Sequence, residues 1–311
     1  MPDESDSLEQ KLPPRVVRAL QRLMETGLWN RWAEATEAHL QEPALQFDPD
    51  FMRKLVPKME LFARYFGAEV RGMDRVPPSP VLLIGNHSGG VVTPDTSALY
   101  AAWYRHRGFA DPLMGLAFDG IYGVPGWREL MRKIGQMPAS MENASAALRA
   151  GSSVLLYPGG SYEVFRPWRD RNRIVFKGRK GFIRLALETG VPVAPVVGHG
   201  GHETTFVLTR GERLVELLSL DKVRMDGAPL LFQLPWGIST PLTPGIPLPA
   251  KITVQVCEPL DWSRFGPEGA QDPAVLERCY QEITSIMQGT LDVLVQENPR
   301  PLVSRFRSPH R

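Results

Sequence analysis

One histidine of this chain lies where a side chain can readily act on a bound molecule. His87 follows the apolar run at residues 81–84, within Gly85-Asn86-His87-Ser88-Gly89-Gly90. Glycine permits sharp backbone turns and close approach of a ligand, and a histidine among glycines has few side chains to pack against. A neutral imidazole can take the proton of a hydroxyl group while that oxygen attacks an acyl carbonyl. We therefore predict that His87 is a general base, although a lone histidine more often has a structural role.

A carboxylate follows this histidine after a short loop. Asp95 comes directly after Pro94 and precedes apolar residues at helical spacing. We predict that it accepts a hydrogen bond from the second ring nitrogen of His87, which fixes the tautomer and stabilises the imidazolium. The alternative is a simple cap of the helix that follows. The loop residues are candidates to bind the substrate, with their N–H groups holding an oxyanion: Asn86, Ser88, Gly89 and Gly90.

A second glycine-rich turn follows another apolar run, at residues 154–157. Glu163 and Arg166 come soon after it, and we predict that they contact a polar head group, because arginine binds carboxylate and phosphate well. The alternative is a plain connection after a strand. The candidate binding residues here are Tyr157, Pro158, Gly159, Gly160, Ser161, Glu163 and Arg166. The basic side chains that follow are candidates to meet phosphate: Lys177, Arg179 and Lys180.

Motifs of other chemistries do not fit this chain. Neither Ser88 nor Ser161 lies in the G-x-S-x-G pattern of a nucleophile elbow, and no Gly-Lys-Ser/Thr of a P-loop is present. His199 and His202, with Glu203 beside them, are a weak zinc pattern because no further ligand accompanies them. We expect neither a metal nor a bound cofactor.

Short apolar strands alternate with helical segments along most of the chain. The predicted strands include residues 81–84, 154–157, 191–197 and 252–256. This alternation predicts an α/β fold, a mixed, mostly parallel sheet flanked by helices, with an amphipathic helical segment before it. Ligand sites in such sheets gather where strands end, so His87, the Pro158-Gly159-Gly160 turn and residues 198–202 are expected at one edge.

Two basic amphipathic helices are predicted before this sheet, at residues 16–28 and 52–66. They either lie on anionic lipid or pack as a cap on the main domain. We expect three regions: an N-terminal helical segment at 1–67 that is a candidate for membrane association, an α/β domain at 68–298, and a loose tail at 299–311. Residues 227–250 are uncharged, but six prolines exclude a spanning helix. They are interpreted as an apolar loop that dips into lipid or lies over the core.

Composition narrows the partners and the compartment. The formal net charge of the 311 residues is +2, which provides no global attraction to nucleic acid. The two cysteines form no C-x-x-C pair, so a reducing cytoplasm is expected. The acidic first residues do not have the pattern of a signal peptide.

Four sequence blocks occur in an order that resembles a known family. They are Asn86-His87, residues 135–140, Tyr157-Pro158-Gly159-Gly160 and residues 191–195. Over roughly residues 68–260 the chain resembles the glycerolipid acyltransferase superfamily, which includes lysophosphatidic acid acyltransferases. The resemblance implies transfer of a fatty acyl group from acyl-CoA or acyl carrier protein to a lipid hydroxyl, on a lysophospholipid, diacylglycerol or related lipid. It also implies a peripheral or monotopic enzyme at the cytoplasmic face of a membrane.

The departures from the family pattern keep other functions open. Family members have an aspartate five positions after the histidine, where this chain has Val92. Either Asp95 fills that role or the pair is incomplete. Gly159 replaces the usual glutamate of a Pro-Glu-Gly block, with Glu163 as the candidate substitute, and the Pro-Gly-Gly form is similar to the diacylglycerol acyltransferase and phytyl ester synthase branch. The alternatives are an acyl-thioesterase or lipid hydrolase, and a lipid-binding protein that has lost catalysis.

Overall fold

The computed structural model describes residues 46–88, 92–118, 121–122, 126–211, 229–240, 243 and 245–306. The first predicted amphipathic helix, the candidate residues Gly89 and Gly90, and the last five residues of the predicted tail lie outside these ranges.

The described strands form two sheets. In chain order the strands are β1 Glu69–Arg71, β2 Leu82–Gly85, β3 Leu113–Ala117, β4 Gln136–Pro138, β5 Ser153–Leu156, β6 Val193–His199, β7 Phe206–Thr209, β8 Leu230–Gln233, β9 Gly237–Ser239 and β10 Thr253–Val256. Seven of them form the main sheet in the order β1-β10-β6-β2-β5-β3-β4, and three form a small sheet in the order β7-β8-β9.

The main sheet is mixed but mostly parallel, as predicted. Strands β2 to β6 pair in parallel, whereas β10 pairs antiparallel to β6 and parallel to β1. Strand β2 lies in the middle, between β6 and β5. All four of its residues are buried, which explains why its sequence is continuously apolar rather than alternating.

Helices cover both faces of the main sheet. They are α1 Pro49–Tyr65, α2 Pro94–Arg107, α3 Trp127–Lys133, α4 Met141–Arg149, α5 Gly160–Val164, α6 Gly181–Thr189, α7 Pro273–Glu297 and α8 Pro301–Ser304. Leu83 packs in a core with α1 and α2, whereas Leu82 and Ile84 point to the opposite face and pack with α4, α6 and α7. Successive strand residues point to opposite faces, so β2 contributes to both cores.

Helix α1 confirms the second predicted helix and shows where it packs. It begins at Pro49, where the Asp48 side chain accepts a hydrogen bond from the N–H of Phe51, and it continues through Pro57. Met52 and Val56 are fully buried in the core shared with α2. This part of the 1–67 segment is therefore a helical cap on the α/β core.

Two segments are more ordered than their sequences predicted. The expected loose tail forms α8, whose Pro301 carbonyl accepts a hydrogen bond from the N–H of Lys251 at 3.0 Å, and Arg305 Nε donates to the Tyr65 carbonyl at 2.9 Å. The proline-rich stretch at 227–250 contains β8 and β9 instead of an irregular loop. The prolines interrupt the alternation of apolar and polar residues, so these short strands could not be recognised from the sequence.

Candidate active site

The fold brings three predicted motifs to one edge of the main sheet. Strands β6, β2 and β5 are neighbours and run parallel, so their carboxyl ends lie side by side. His87 follows β2, the Pro158-Gly159-Gly160 turn follows β5, and Gly200 to Glu203 follow β6. This is the arrangement that the strand-end argument predicted.

The ring of His87 stacks on Tyr157. The ring centroids are 4.1 Å apart with an interplanar angle of 23°, and the Tyr157 hydroxyl hydrogen-bonds Thr96 Oγ1 at 2.7 Å. His87 itself is half-buried. A Cβ on Gly85 would come within 2.4 Å of Tyr157 Cε1. A glycine is therefore needed at position 85 so that Tyr157 can come this close. The sequence had suggested a different reason, a sharp turn of the backbone.

The backbone of His87 is held from both sides. Its N–H donates to Glu163 Oε2 at 3.2 Å, and its carbonyl oxygen accepts from Arg166 Nη2 at 3.1 Å. Arg166 Nη2 also lies 3.0 Å from His202 Nε2. The loop after β2 is thus tied to the segment after β5 and to the loop after β6.

Glu163 and Arg166 are enclosed, contrary to the expectation that they meet a head group. Their side chains are 0% and 1% exposed, and they pair with each other at 3.4 Å. Glu163 Oε1 also accepts from the N–H of Val175 at 3.1 Å, and Arg166 donates to the Arg173 carbonyl. Burial raises the pKa of Glu163 to about 7, although the charge of Arg166 opposes the rise. Their polar atoms position the loops and do not face outward.

Glu163 lies beside the position at which the family carries its usual glutamate. A Cβ on Gly159 would come within 2.2 Å of Glu163 Cγ. The side chain of Glu163 therefore fills the space that a residue-159 side chain would enter. Arg179 Nη1 donates to the carbonyls of Pro158 and Gly159 at 3.0 and 3.3 Å, so this predicted phosphate contact holds the turn instead.

Asn86 and Ser88, predicted to bind substrate, are both 2% exposed. The Asn86 amide donates to the Gly198 carbonyl at 3.0 Å and accepts from the Gly198 N–H at 2.8 Å, which extends the pairing of β2 and β6. A Cβ on Gly201 would come within 2.1 Å of Ser88 Oγ. Asn86 is therefore engaged with β6 itself, and Ser88 packs against the loop after β6.

Asp95 points toward Ser88 rather than toward the imidazole. It is 4% exposed in the first turn of α2, whose N-cap residue is Thr93. Burial raises the pKa of Asp95, and the Ser88 side chain and nearby backbone N–H groups offset part of the rise. In the described part of the chain no hydrogen bond joins Asp95 to the His87 ring. The two residues share a loop but not the predicted direct contact.

The weak zinc pattern does not converge in space. His199 Nε2 lies 2.9 Å from the Asn298 carbonyl, His202 contacts Arg166, and Glu203 pairs with Arg171 at 2.9 Å. Among the described residues no group of three potential ligands can hold a metal ion. Each of these side chains has its own structural partner.

Several site residues had no signal in the sequence. Thr96 holds the Tyr157 hydroxyl, and the Val175 N–H binds Glu163. Both lie in ordinary apolar or helical stretches, and Val175 contributes only a backbone group. Nothing in the residue types distinguishes them, because their roles come from packing.

The chain is similar to curated proteins of several organisms. It is 29% identical over 254 residues to an uncharacterised protein of Mycobacterium tuberculosis, covering 79% of this chain and 67% of that protein. It is 29% identical over 194 residues to a cattle (Bos taurus) protein named DGAT1/2-independent enzyme synthesizing storage lipids, covering 62% and 56%. It is 26% identical over 159 residues to diacylglycerol O-acyltransferase 2B of Umbelopsis ramanniana, covering 49% and 45%.

A family model described as Acyltransferase matches residues 67–198, which contain His87, the Pro158-Gly159-Gly160 turn and most of β6. This match and the names of the relatives support the glycerolipid acyltransferase superfamily for the chain. The resemblance recognised from the four sequence blocks is thereby confirmed. No helix in the described ranges has the length and apolar character needed to cross a bilayer.

The histidine of this acyltransferase is uncharged near neutral pH. Burial lowers the pKa of His87 to about 3, and the positive charge of Arg166 lowers it further. The neutral ring is the form that can accept a proton. The same surroundings disfavour the imidazolium.

A small cavity lies next to the site of this acyltransferase, between Asp95, Tyr157 and Gly198. Its volume is about 10 Å³, which is enough for about one water molecule. An acyl chain therefore does not fit into this cavity.

Proposed function

We propose that this acyltransferase moves a fatty acyl group from acyl-CoA or acyl carrier protein to a lipid hydroxyl, with His87 as the general base. One observation carries the proposal: a neutral imidazole at the end of the central strand, with its backbone fixed by Glu163 and Arg166 and its ring fixed by Tyr157.

In the proposed reaction, an unprotonated nitrogen of His87 takes the proton of the acceptor hydroxyl while the oxygen attacks the thioester carbonyl. The tetrahedral intermediate then collapses as the carbon–sulfur bond breaks. The leaving thiolate takes the proton from the imidazolium, which restores the neutral ring. The products are a lipid ester and a free thiol, and no serine or cysteine of the chain is acylated.

Asp95 acts in this proposal as a positioning residue. Its carboxylate lies beside Ser88, the residue that follows His87, and beside Gly198. It orients the loop that carries the imidazole and does not hold the ring directly. Replacement by asparagine preserves size and most hydrogen bonding, so D95N should lose much less transfer activity than H87A.

A lipid hydroxyl as the acceptor is supported by the relatives and by the turn after β5. The Umbelopsis protein is named a diacylglycerol O-acyltransferase, and the cattle protein is named for storage lipids. Glu163 and Arg166 are engaged inside the fold, which leaves them unable to select a charged head group. We infer that a neutral lipid such as diacylglycerol is the better acceptor, at the cytoplasmic face of a membrane, with lysophospholipid as the alternative.

An assay with radiolabelled acyl-CoA and a panel of acceptors tests the proposal. Labelled triacylglycerol formed from diacylglycerol supports it, and the same reaction with H87A should give none above background. Free fatty acid in place of lipid ester identifies a hydrolase. Binding of acyl-CoA without turnover identifies a lipid-binding protein, which the missing contact between Asp95 and the His87 ring favours. If D95N and H87A lose activity equally, Asp95 holds the ring directly and the positioning role is wrong.

A further inference from the structure

The small sheet exposes apolar side chains on one face and buries the other. In β8, Leu231 is 1% exposed and Gln233 is 9% exposed, whereas Phe232 between them is 44% exposed. An antiparallel sheet with one face in water normally carries polar residues on that face. Here the outward position of β8 is aromatic, so the face is suited to an apolar partner.

The apolar side chains of this face are aligned across all three strands. Ile238 pairs with Phe232, and Phe232 pairs with Phe206. Directly paired residues lie on the same face of an antiparallel sheet. Trp168 then packs on Phe206 with ring centroids 5.9 Å apart. One row of large apolar groups therefore runs from the edge strand β9 to the turn that contains Trp168.

The tip of the hairpin continues this surface. Leu234, Trp236 and Ile238 are 44%, 61% and 65% exposed, and Ile246, paired with Leu234, is 60% exposed. No Asp, Glu, Lys or Arg occurs between residues 227 and 250. Exposed apolar patches of this kind mark interaction sites, and tryptophan favours the interface between lipid and water.

Basic side chains lie at the Trp168 end of the row. The guanidinium of Arg171 lies 3.7 Å from the centre of the Trp168 ring. The side chains of Arg169 and Arg173 are 51% and 73% exposed, and both pair with Asp170. An apolar surface bordered by more cations than anions matches a bilayer with anionic head groups.

We propose that the outer face of the small sheet, formed by Phe206, Phe232, Leu234, Trp236 and Ile238, docks on a lipid bilayer that contains anionic lipid. Strand β7 follows the loop after β6, and Arg171 joins Trp168 to Glu203 in that loop. Docking therefore places the lipid next to the loop after β6, which is one of the loops at the edge that carries His87. The choice of lipid as partner rests on the proposed function, but docking itself is measurable without catalysis.

Co-sedimentation with vesicles tests this docking. The full chain is mixed with vesicles of phosphatidylcholine alone or with added phosphatidylglycerol, and the bound fraction is measured. The double variant W236S/I238S removes two exposed apolar groups and should lower the partition coefficient at least about ten-fold. V293S is the matched control, because Val293 is 52% exposed on α7, away from the small sheet, and should leave binding unchanged.

A second pair of measurements separates the sources of binding and the other possible occupants. R169Q/R173Q should remove the gain from phosphatidylglycerol while leaving binding to phosphatidylcholine. Quenching of tryptophan fluorescence by brominated lipids should be smaller in W236F, which still binds, than in the wild type. If W236S/I238S partitions to vesicles as well as the wild type does, the proposal is overturned. It is also overturned if the double variant loses self-association in sedimentation velocity and keeps vesicle binding, because the occupant of this face would then be a second copy of the chain. A chain that docks but transfers no acyl group refutes the proposed function and leaves this inference intact.

Discussion

The strand-end site and the small sheet have opposite burial patterns. At the site, Glu163 and Arg166 are enclosed although both are ionisable. On the small sheet, Trp236 and Ile238 are more than half exposed although both are apolar. Burial of ionisable groups and exposure of apolar groups each cost free energy. Here the buried pair fixes the backbone of His87, and the exposed apolar groups form the surface proposed to dock on lipid.

The largest expected effect tests whether His87 takes part in acyl transfer. H87A should lower kcat for acyl transfer by about 10²- to 10⁴-fold, since that is the usual contribution of a general base. The melting temperature should change little, because His87 is half-buried and its backbone contacts remain. H106A is the control: His106 is exposed on α2 and should have no effect on either measurement. Full activity in H87A would show that the strand-end site does not carry the reacting group.

The buried ion pair should dominate stability at the site. R166M removes the cation and leaves Glu163 as an unpaired buried carboxyl, which should cost about 3–5 kcal/mol of unfolding free energy. Urea unfolding measures the loss. The double variant E163Q/R166M leaves no unpaired charge and should recover part of the lost unfolding free energy. Equal losses in the two variants would show that the unpaired carboxyl of Glu163 does not cause the destabilisation.

A single added methyl group should disturb the ring contact. In G85A the new Cβ would meet the Tyr157 ring, which has to shift, at a cost of about 1–3 kcal/mol for overpacking. Because Tyr157 stacks on His87, kcat should fall as well. G151A is a suitable reference, since nothing lies within 4 Å of its added Cβ, although its positive φ of 86° adds some strain. Transfer activity of G85A equal to that of G151A would contradict the contact.

The last expected effect is a pH dependence of stability. The pKa of Glu163 rises from 4.5 to about 7 on folding, so the folded state retains a proton that the unfolded state loses. Its contribution to stability is fully present below pH 4.5 and is lost as the pH rises through 7. E163Q should remove this loss. Urea unfolding at several pH values, compared between wild type and E163Q, should give curves that diverge most between pH 4.5 and 7; parallel curves would mean that the carboxyl is not perturbed.

Much of the fold could be predicted from local patterns. Helix α7 has clear local signals, because Asp272 and Pro273 form a strong helix start and an apolar stripe continues for 25 residues. Strand β2 was predicted from a run of four apolar residues. By contrast, β8 and β9 were not predicted, because prolines at 229, 235, 241 and 244 interrupt the alternation that identifies strands.

The position of the candidate site was predicted, but the directions of several of its side chains were not. The edge that gathers His87 and the Pro158-Gly159-Gly160 turn followed from the ends of parallel strands. The enclosure of Glu163 and Arg166 did not, because residue type indicates charge but not the direction of a side chain in a loop. The direction of Asp95 depends equally on the loop between two elements, which has no periodic signal.

The sequence by itself determined the acyltransferase family, the α/β class and the histidine at the end of a buried strand. These follow from residue order and short-range periodicity, which the chain carries before it folds. The tertiary structure alone decided that Glu163 and Arg166 hold the His87 backbone, that Asp95 lies beside Ser88, and that apolar groups cross the small sheet in one row. Those facts depend on contacts between residues far apart in the chain, and such contacts exist only after packing has fixed which side chains meet.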